Sequence, residues 1–189
     1  RLPRRGHKVD LGLIYAGGLL AGDVDTMTFT GSGTKHWSLP FDTILTARGS
    51  FAVVDSHGGD DNLPIFERQF LGGARDLRGF QFRDIGPRDA TGPNATQEVL
   101  GGATSVFGSL EFTFPVIGQV RGAVFYDAAF VNSDSWDFNT GRLASDVGIG
   151  GRWNLPGIGP LAVDFAVPVE TPDDQADDGS QIQFYMDYQ

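Results

Sequence analysis

From Leu161 to Val169 every second residue is apolar. Leu161, Val163, Phe165, Val167 and Val169 alternate with Ala162, Asp164, Ala166 and Pro168. Successive side chains of an extended strand point to opposite faces, so this period fixes one apolar and one polar face and argues against a helix. The same alternation recurs in Lys8–Ala16, Thr26–Leu39, Thr43–Val53, Ser105–Phe114, Val120–Phe130, Leu143–Trp153 and Gln181–Tyr188. These eight segments predict an all-β, antiparallel chain. Most approach the roughly ten residues that carry a tilted strand across a bilayer. Tight turns at Leu39-Pro40, Val116 to Gln119 and Asn154 to Gly159 alternate loosely with longer loops at 56–103, 132–141 and 170–179. Short turns at one end and long loops at the other are the pattern of an outer-membrane barrel.

Periodicity alone does not decide which face meets water. A soluble sandwich or barrel turns its apolar face inward, and a membrane barrel turns it to lipid. The polar faces here are small, built of Thr, Ser, Gly and Ala with scattered Asp, Glu and Arg. The Lys and Glu that coat soluble sheets are nearly missing from the strand interiors. Aromatic residues gather near the ends of the apolar faces (Tyr15, Trp37, Phe114, Phe130, Trp153, Tyr188), where an interfacial girdle would sit. Both features favour the membrane barrel, and a soluble ligand-binding β-barrel remains the alternative. The formal charge of −10 argues against a nucleic-acid partner, since phosphate binding needs clustered Lys and Arg. The absence of cysteine excludes disulfides and thiolate metal sites.

One stretch does not read as a strand. Between Leu63 and Pro87 the loop carries Gly72, Gly73, Gly79 and the pair Gly86-Pro87. It also carries Phe66, Phe70, Leu71, Leu77, Phe80 and Phe82. So many apolar side chains predict an ordered loop packed against something. An eight-stranded barrel is filled by its own side chains, and these small polar faces would not fill one. A bulky loop inside needs a wider barrel. The eight segments are therefore expected to form half of one.

Those residues resemble a known family. PIFERQFLGGARDLRGFQFRDIGP (64–87) resembles the inward-folded loop of BamA-type outer-membrane assembly factors. Their superfamily also holds TamA, two-partner secretion transporters and organelle import pores. GSLEF (108–112), VRGAVFYDAA (120–129), GIGGRWNLPGIGPLAVDFAVP (148–168) and FYMDY (184–188) resemble the strands that follow, in the same order. PRRG (3–6) and GGLLAGDVDT (17–26) resemble an upstream strand start and hairpin. The resemblance implies a sixteen-stranded barrel in the bacterial outer membrane, preceded by soluble POTRA domains that this chain lacks. Residues 1–189 would be a single C-terminal barrel domain, with 56–103 as its long loop. The other half of the barrel, or a second copy, would complete it. Family partners are the lipid bilayer, unfolded outer-membrane substrates and accessory assembly subunits. The expected function is insertion of β-barrel proteins, without enzymatic chemistry, cofactor or metal. A protein-translocating pore of the same superfamily is the alternative.

The resemblance gives Arg78 the role of loop anchor, paired with Glu111 and Asp127 on the polar faces of adjacent strands. Gly72, Gly73, Leu77, Gly79, Phe80, Ile85, Gly86 and Pro87 make up the rest of the loop motif, and Phe80 is expected against the barrel wall. The last strand, with Gln181, Gln183, Phe184, Met186 and Tyr188, would form one side of a lateral seam. An unpaired strand edge is a natural template for an incoming strand. Asp146 with Arg152, and Asp164, fall on the polar face and suit a hydrated lumen. His7, His36 and His57 have no metal-ligand spacing. Asp173, Asp174, Asp177 and Asp178 read as a solvated loop, as do Asp60 and Asp61. The sequon Asn94-Ala95-Thr96 carries no expected role.

Overall fold

The structure is a computed structural model that describes residues 4–17, 25–56, 63–89, 96–155, 159–173 and 179–186. Tyr188, His57, Asp60, Asp61, Asn94, Asp174, Asp177 and Asp178 lie outside these residues. The eight alternating segments are eight strands: β1 (Gly6–Ala16), β2 (Thr26–Leu39), β3 (Thr43–Ser56), β4 (Thr104–Ile117), β5 (Val120–Asn132), β6 (Ala144–Leu155), β7 (Gly159–Glu170) and β8 (Gln181–Met186). They form one antiparallel sheet in which every strand pairs with its sequence neighbours, β1 through β8 in order. Among the described residues no ladder joins β1 to β8. Among the described residues the one helical piece is a 3-10 turn at Thr140–Arg142, capped by the Asn139 side chain accepting from the Gly141 N–H.

Register aligns the faces across the sheet. Leu45, Phe112, Val124, Ile149, Phe165 and Ile182 are successive cross-strand partners on one side. Arg48, Ser109, Asp127 and Asp146 are partners on the other. The apolar side is bare: Leu11 is 80% exposed, and Ile149, Val169, Ile182 and Phe184 are above 60%. The polar side is the covered one, with Ser109, Asp127, Asp146 and Asp164 buried. A soluble sheet does the reverse, and a contiguous bare apolar surface of this extent needs an apolar solvent. The faces are those of a membrane barrel, apolar outward.

The cover on the polar side is the 63–89 segment. Leu71 and Ile85 exchange backbone hydrogen bonds in both directions, at 3.2 and 2.9 Å, closing the base of an inner excursion. Within it, the Gly73 N–H donates to Leu77 O and the Asp76 N–H to Gly73 O, folding the tip tightly. Gly72 sits at φ +112°, and a Cβ there would strike the Gln81 carbonyl, so only glycine fits the turn. Gln69 bridges to Gly102, and Arg88 to Val99. Leu77, Phe80 and Ile85 form an apolar cluster with Phe107, Ala129, Val131 and Ala144 of the sheet. Phe66 and Phe82 do not join it. They stand largely exposed.

The cover is uneven. Every described residue of β1 from Gly6 to Tyr15 is exposed, on both faces. The loop lies over β4 to β8 and leaves the polar side of β1 uncovered; Ile14, on that side, is 61% exposed.

Candidate functional site

Arg78 lies at the bottom of the excursion with no solvent exposure. Its Nε donates to Asp127 Oδ2 at 2.7 Å and its Nη2 to Asp127 Oδ1 at 2.9 Å, a two-point grip along one edge of the guanidinium. Nη1 donates to Glu111 Oε2 at 2.7 Å and to Asp164 Oδ2 at 3.1 Å. The guanidinium carbon stands 3.3 Å from the centroid of the Phe125 ring. Phe125 lies in turn over Gly148 of the neighbouring strand, where a Cβ would collide with the ring. The small polar face is therefore not empty space. It is a shelf on which one aromatic ring and one planar cation stack, and Arg suits such a site better than Lys because its fork matches carboxylates and its plane matches a ring.

The sheet explains why three strands converge here. Ser109 is the cross-strand partner of Asp127, and Glu111 that of Phe125, so Glu111 and Asp127 are diagonal neighbours on β4 and β5. Asp164 comes from β7, across β6, whose Gly148 and Gly150 raise no side chain between. A Cβ at Gly150 would meet the Asp164 carboxylate.

A second guanidinium completes the cluster. Arg152 Nη2 donates to Glu111 Oε2 at 2.6 Å and to Asp164 Oδ2 at 3.1 Å, and Arg152 Nη1 pairs closely with Asp164 Oδ1. Glu111 and Asp164 are thus shared by two arginines. Arg152 does not meet Asp146. The two are six residues apart on one strand, about 20 Å at the usual rise. The Asp146 Oδ2 instead accepts the Gly79 N–H at 2.8 Å. Nor is this region hydrated as expected: Asp127, Asp146 and Asp164 are all fully buried. A Cβ on Gly79 would lie 2.6 Å from the Asp146 Cβ, so the bond forms only because residue 79 has no side chain.

Burial alone would weaken the Arg78 charge. The Asp127 hydrogen bonds and the Asp127 and Glu111 charges outweigh it, holding the guanidinium above its ordinary pKa. A guanidinium keeps its proton in proteins, so Arg78 holds a fixed positive charge among these carboxylates. It is a clamp in its chemistry.

The clamp reaches the last strand. Tyr185 donates its hydroxyl to Asp164 Oδ2 at 3.0 Å, and Gln183 Nε2 donates to the Phe80 carbonyl at 3.3 Å. Gln181, Phe184 and Met186 lie on the same strand, and Phe184 faces outward on the bare side. Gly73 packs near Phe82, and Gly86 lies beside Val99 and Gly101. The Gly86 carbonyl accepts from Arg142 Nη2 at 3.3 Å, and the Pro87 carbonyl from the Leu100 N–H at 2.7 Å. Sequence reasoning missed Asp164, Arg152 and Tyr185 as members of the cluster. The available signal was the shared phase of Asp164 with the other polar-face acids.

Comparison with known proteins gives the fold a family. The chain is 28% identical over 176 residues to the outer membrane protein assembly factor BamA of Nitratidesulfovibrio vulgaris (strain Hildenborough), covering 91% of this chain and 21% of that protein. It spans about a fifth of the length of that relative. The crystal structure of BamA from Haemophilus ducreyi lacking POTRA domains 1-3 superposes with a TM-score of 0.80 at 25% identity. That match covers 97% of this chain and 39% of that one. The family model of the Omp85 superfamily domain matches residues 1–188. The chain therefore belongs to the Omp85 superfamily, as a β-barrel protein of the bacterial outer membrane similar to the barrel of BamA.

Proposed function

We propose that this chain is the C-terminal half of a β-barrel that inserts other β-barrel proteins into the outer membrane, and that its 63–89 loop occupies the lumen of the complete barrel. The Arg78 clamp carries the reading. A loop pinned by two-point and shared carboxylate bonds across β4, β5 and β7 is a permanent internal fixture of the barrel. The uncovered β1 supports the half-barrel reading. In a barrel closed by these strands alone the polar side of β1 would face a filled interior, whereas here its residues from Gly6 to Tyr15 are exposed among the described residues. Eight more strands, from a preceding segment or a second copy, would enclose it.

The function is non-enzymatic. Substrate strands would add at the seam, one side of which is β8, whose outer edge has no strand partner among the described residues. The chain by itself, without the opposite side of the seam, is inactive. Unfolded outer-membrane proteins and accessory assembly subunits are the partners this role requires.

The test is reconstitution. Proteoliposomes carrying the full-length protein should speed the folding of an unfolded outer-membrane β-barrel, read by protease protection, and Arg78→Ala should slow it. Wild-type vesicles no faster than empty ones, with ion conductance or transport of a secreted protein instead, would replace insertion by the translocation-pore reading.

A further inference from the structure

The foot of the β1–β2 hairpin carries a feature that the insertion role does not use. A cleft of about 490 Å³ lies there, lined by Arg5, His7, Lys35, His36 and Trp37. His7 and Lys35 are direct cross-strand partners, so their side chains stand together on one face. That face continues upward through Val9, Leu11 and Leu13, each more than 60% exposed. Lys35 holds its ammonium over the Trp37 ring, 5.2 Å from the centroid, so its stem lies on the apolar surface and its charge points toward the turn. Asp42, beside the β2–β3 turn, is already engaged by Arg4 at 2.6 Å and by Arg121 at 3.0 Å. Among the described residues neither Arg5 nor Lys35 has a carboxylate partner. In a chain of net charge −10, this is a local positive cleft with an apolar wall above it.

We propose that this cleft binds the phosphate headgroup of an anionic glycerophospholipid, whose acyl chains lie along Val9, Leu11 and Leu13. The arrangement selects a lipid over a free anion because the cations stand where the apolar face ends, at the depth of Trp37. An interfacial Trp marks the headgroup level of a membrane barrel. Short turns of such barrels face the periplasm, so the cleft meets the inner leaflet. Arg5 offers a fork to two phosphate oxygens and Lys35 a point charge. Basic clefts at this depth are the usual seats of acidic headgroups. The site is separate from the Arg78 clamp and does not depend on the insertion reading.

Native mass spectrometry of the full-length protein released from detergent tests the site, with phosphatidylglycerol, phosphatidylcholine and inorganic phosphate offered in turn. The wild type should retain phosphatidylglycerol over phosphatidylcholine. Arg5→Gln with Lys35→Gln should weaken that retention about fivefold for each cation removed. Lys8→Gln is the control, because Lys8 lies on the opposite face in an ion pair with Asp10; it should change nothing. If the double variant does not fold, added salt on the wild type gives the same readout, since exposed cations are screened. Equal retention of the two lipids, or retention indifferent to both the variant and salt, overturns the proposal. So does inorganic phosphate that binds as well as the lipid, because the cleft would then be a free-anion site.

Discussion

Removing the Arg78 guanidinium would strand Asp127 in a buried site and leave Glu111 and Asp164 to Arg152, with Tyr185 still donating to Asp164. Breaking a buried ion pair from one side costs about 3–5 kcal/mol. Arg78→Ala should therefore lower the unfolding free energy read from a urea titration in lipid by that order, and Arg78→Lys should restore only part. A lysine carries the charge but cannot span Asp127 edge-on while stacking on Phe125. Full recovery by lysine would mean that charge alone matters and the fork does not. Gly79 makes a steric argument of a different kind. Gly79→Ala pushes a methyl against the Asp146 Cβ and should cost roughly 1–3 kcal/mol, as overpacking does. Combining it with Asp146→Gly should relieve the clash, so the two changes should be non-additive in a double-mutant cycle. Simple additivity would show that the loop backbone shifts freely at this point.

At the scale of elements, the eight strands were legible because alternation survives burial on either side. Val163, Phe165 and Val167 keep their phase whether they face lipid or core. The site was legible only in part. Glu111 and Asp127 lie on adjacent strands, and motif plus phase brought them to Arg78. Asp164 is two strands further on. Its place depends on the register across β6, which the glycines at 148 and 150 make possible and which no local pattern states. Arg152 was read beside Asp146 along the chain, although six residues of strand keep the two apart. Which of the loop's aromatics would pack was not legible: hydrophobicity predicts a preference for burial, and it does not say which side of a loop receives cover, so Phe80 is buried and Phe66 and Phe82 are exposed. The link from loop to β8 is the element-level prediction. Tyr185→Phe and Gln183→Ala each remove one hydrogen bond to the clamp or loop and should cost about 1 kcal/mol. Their combined effect should appear as faster proteolysis of the 63–89 loop. Unchanged cleavage would show that the last strand and the loop are mechanically independent.

For the whole molecule, the open question is closure, and counting strands answers it. Electron cryo-microscopy of the folded protein in lipid should show a barrel of sixteen strands in which β1 has a neighbour on both edges. Eight strands closed within one chain would overturn the half-barrel reading. The clamp also carries information about time. Arg78 is 33 residues from Glu111 and 49 from Asp127, but 86 from Asp164, and Phe80 is 103 from Gln183. Contacts that distant form late, because the intervening chain must first be ordered. The loop can find its first two carboxylates once β5 is in place, yet its seat is complete only when β7 and β8 arrive. The long-range half of the seat, from Asp164 and Gln183, therefore ties the loop to strands that enter the sheet only after β5 and β6.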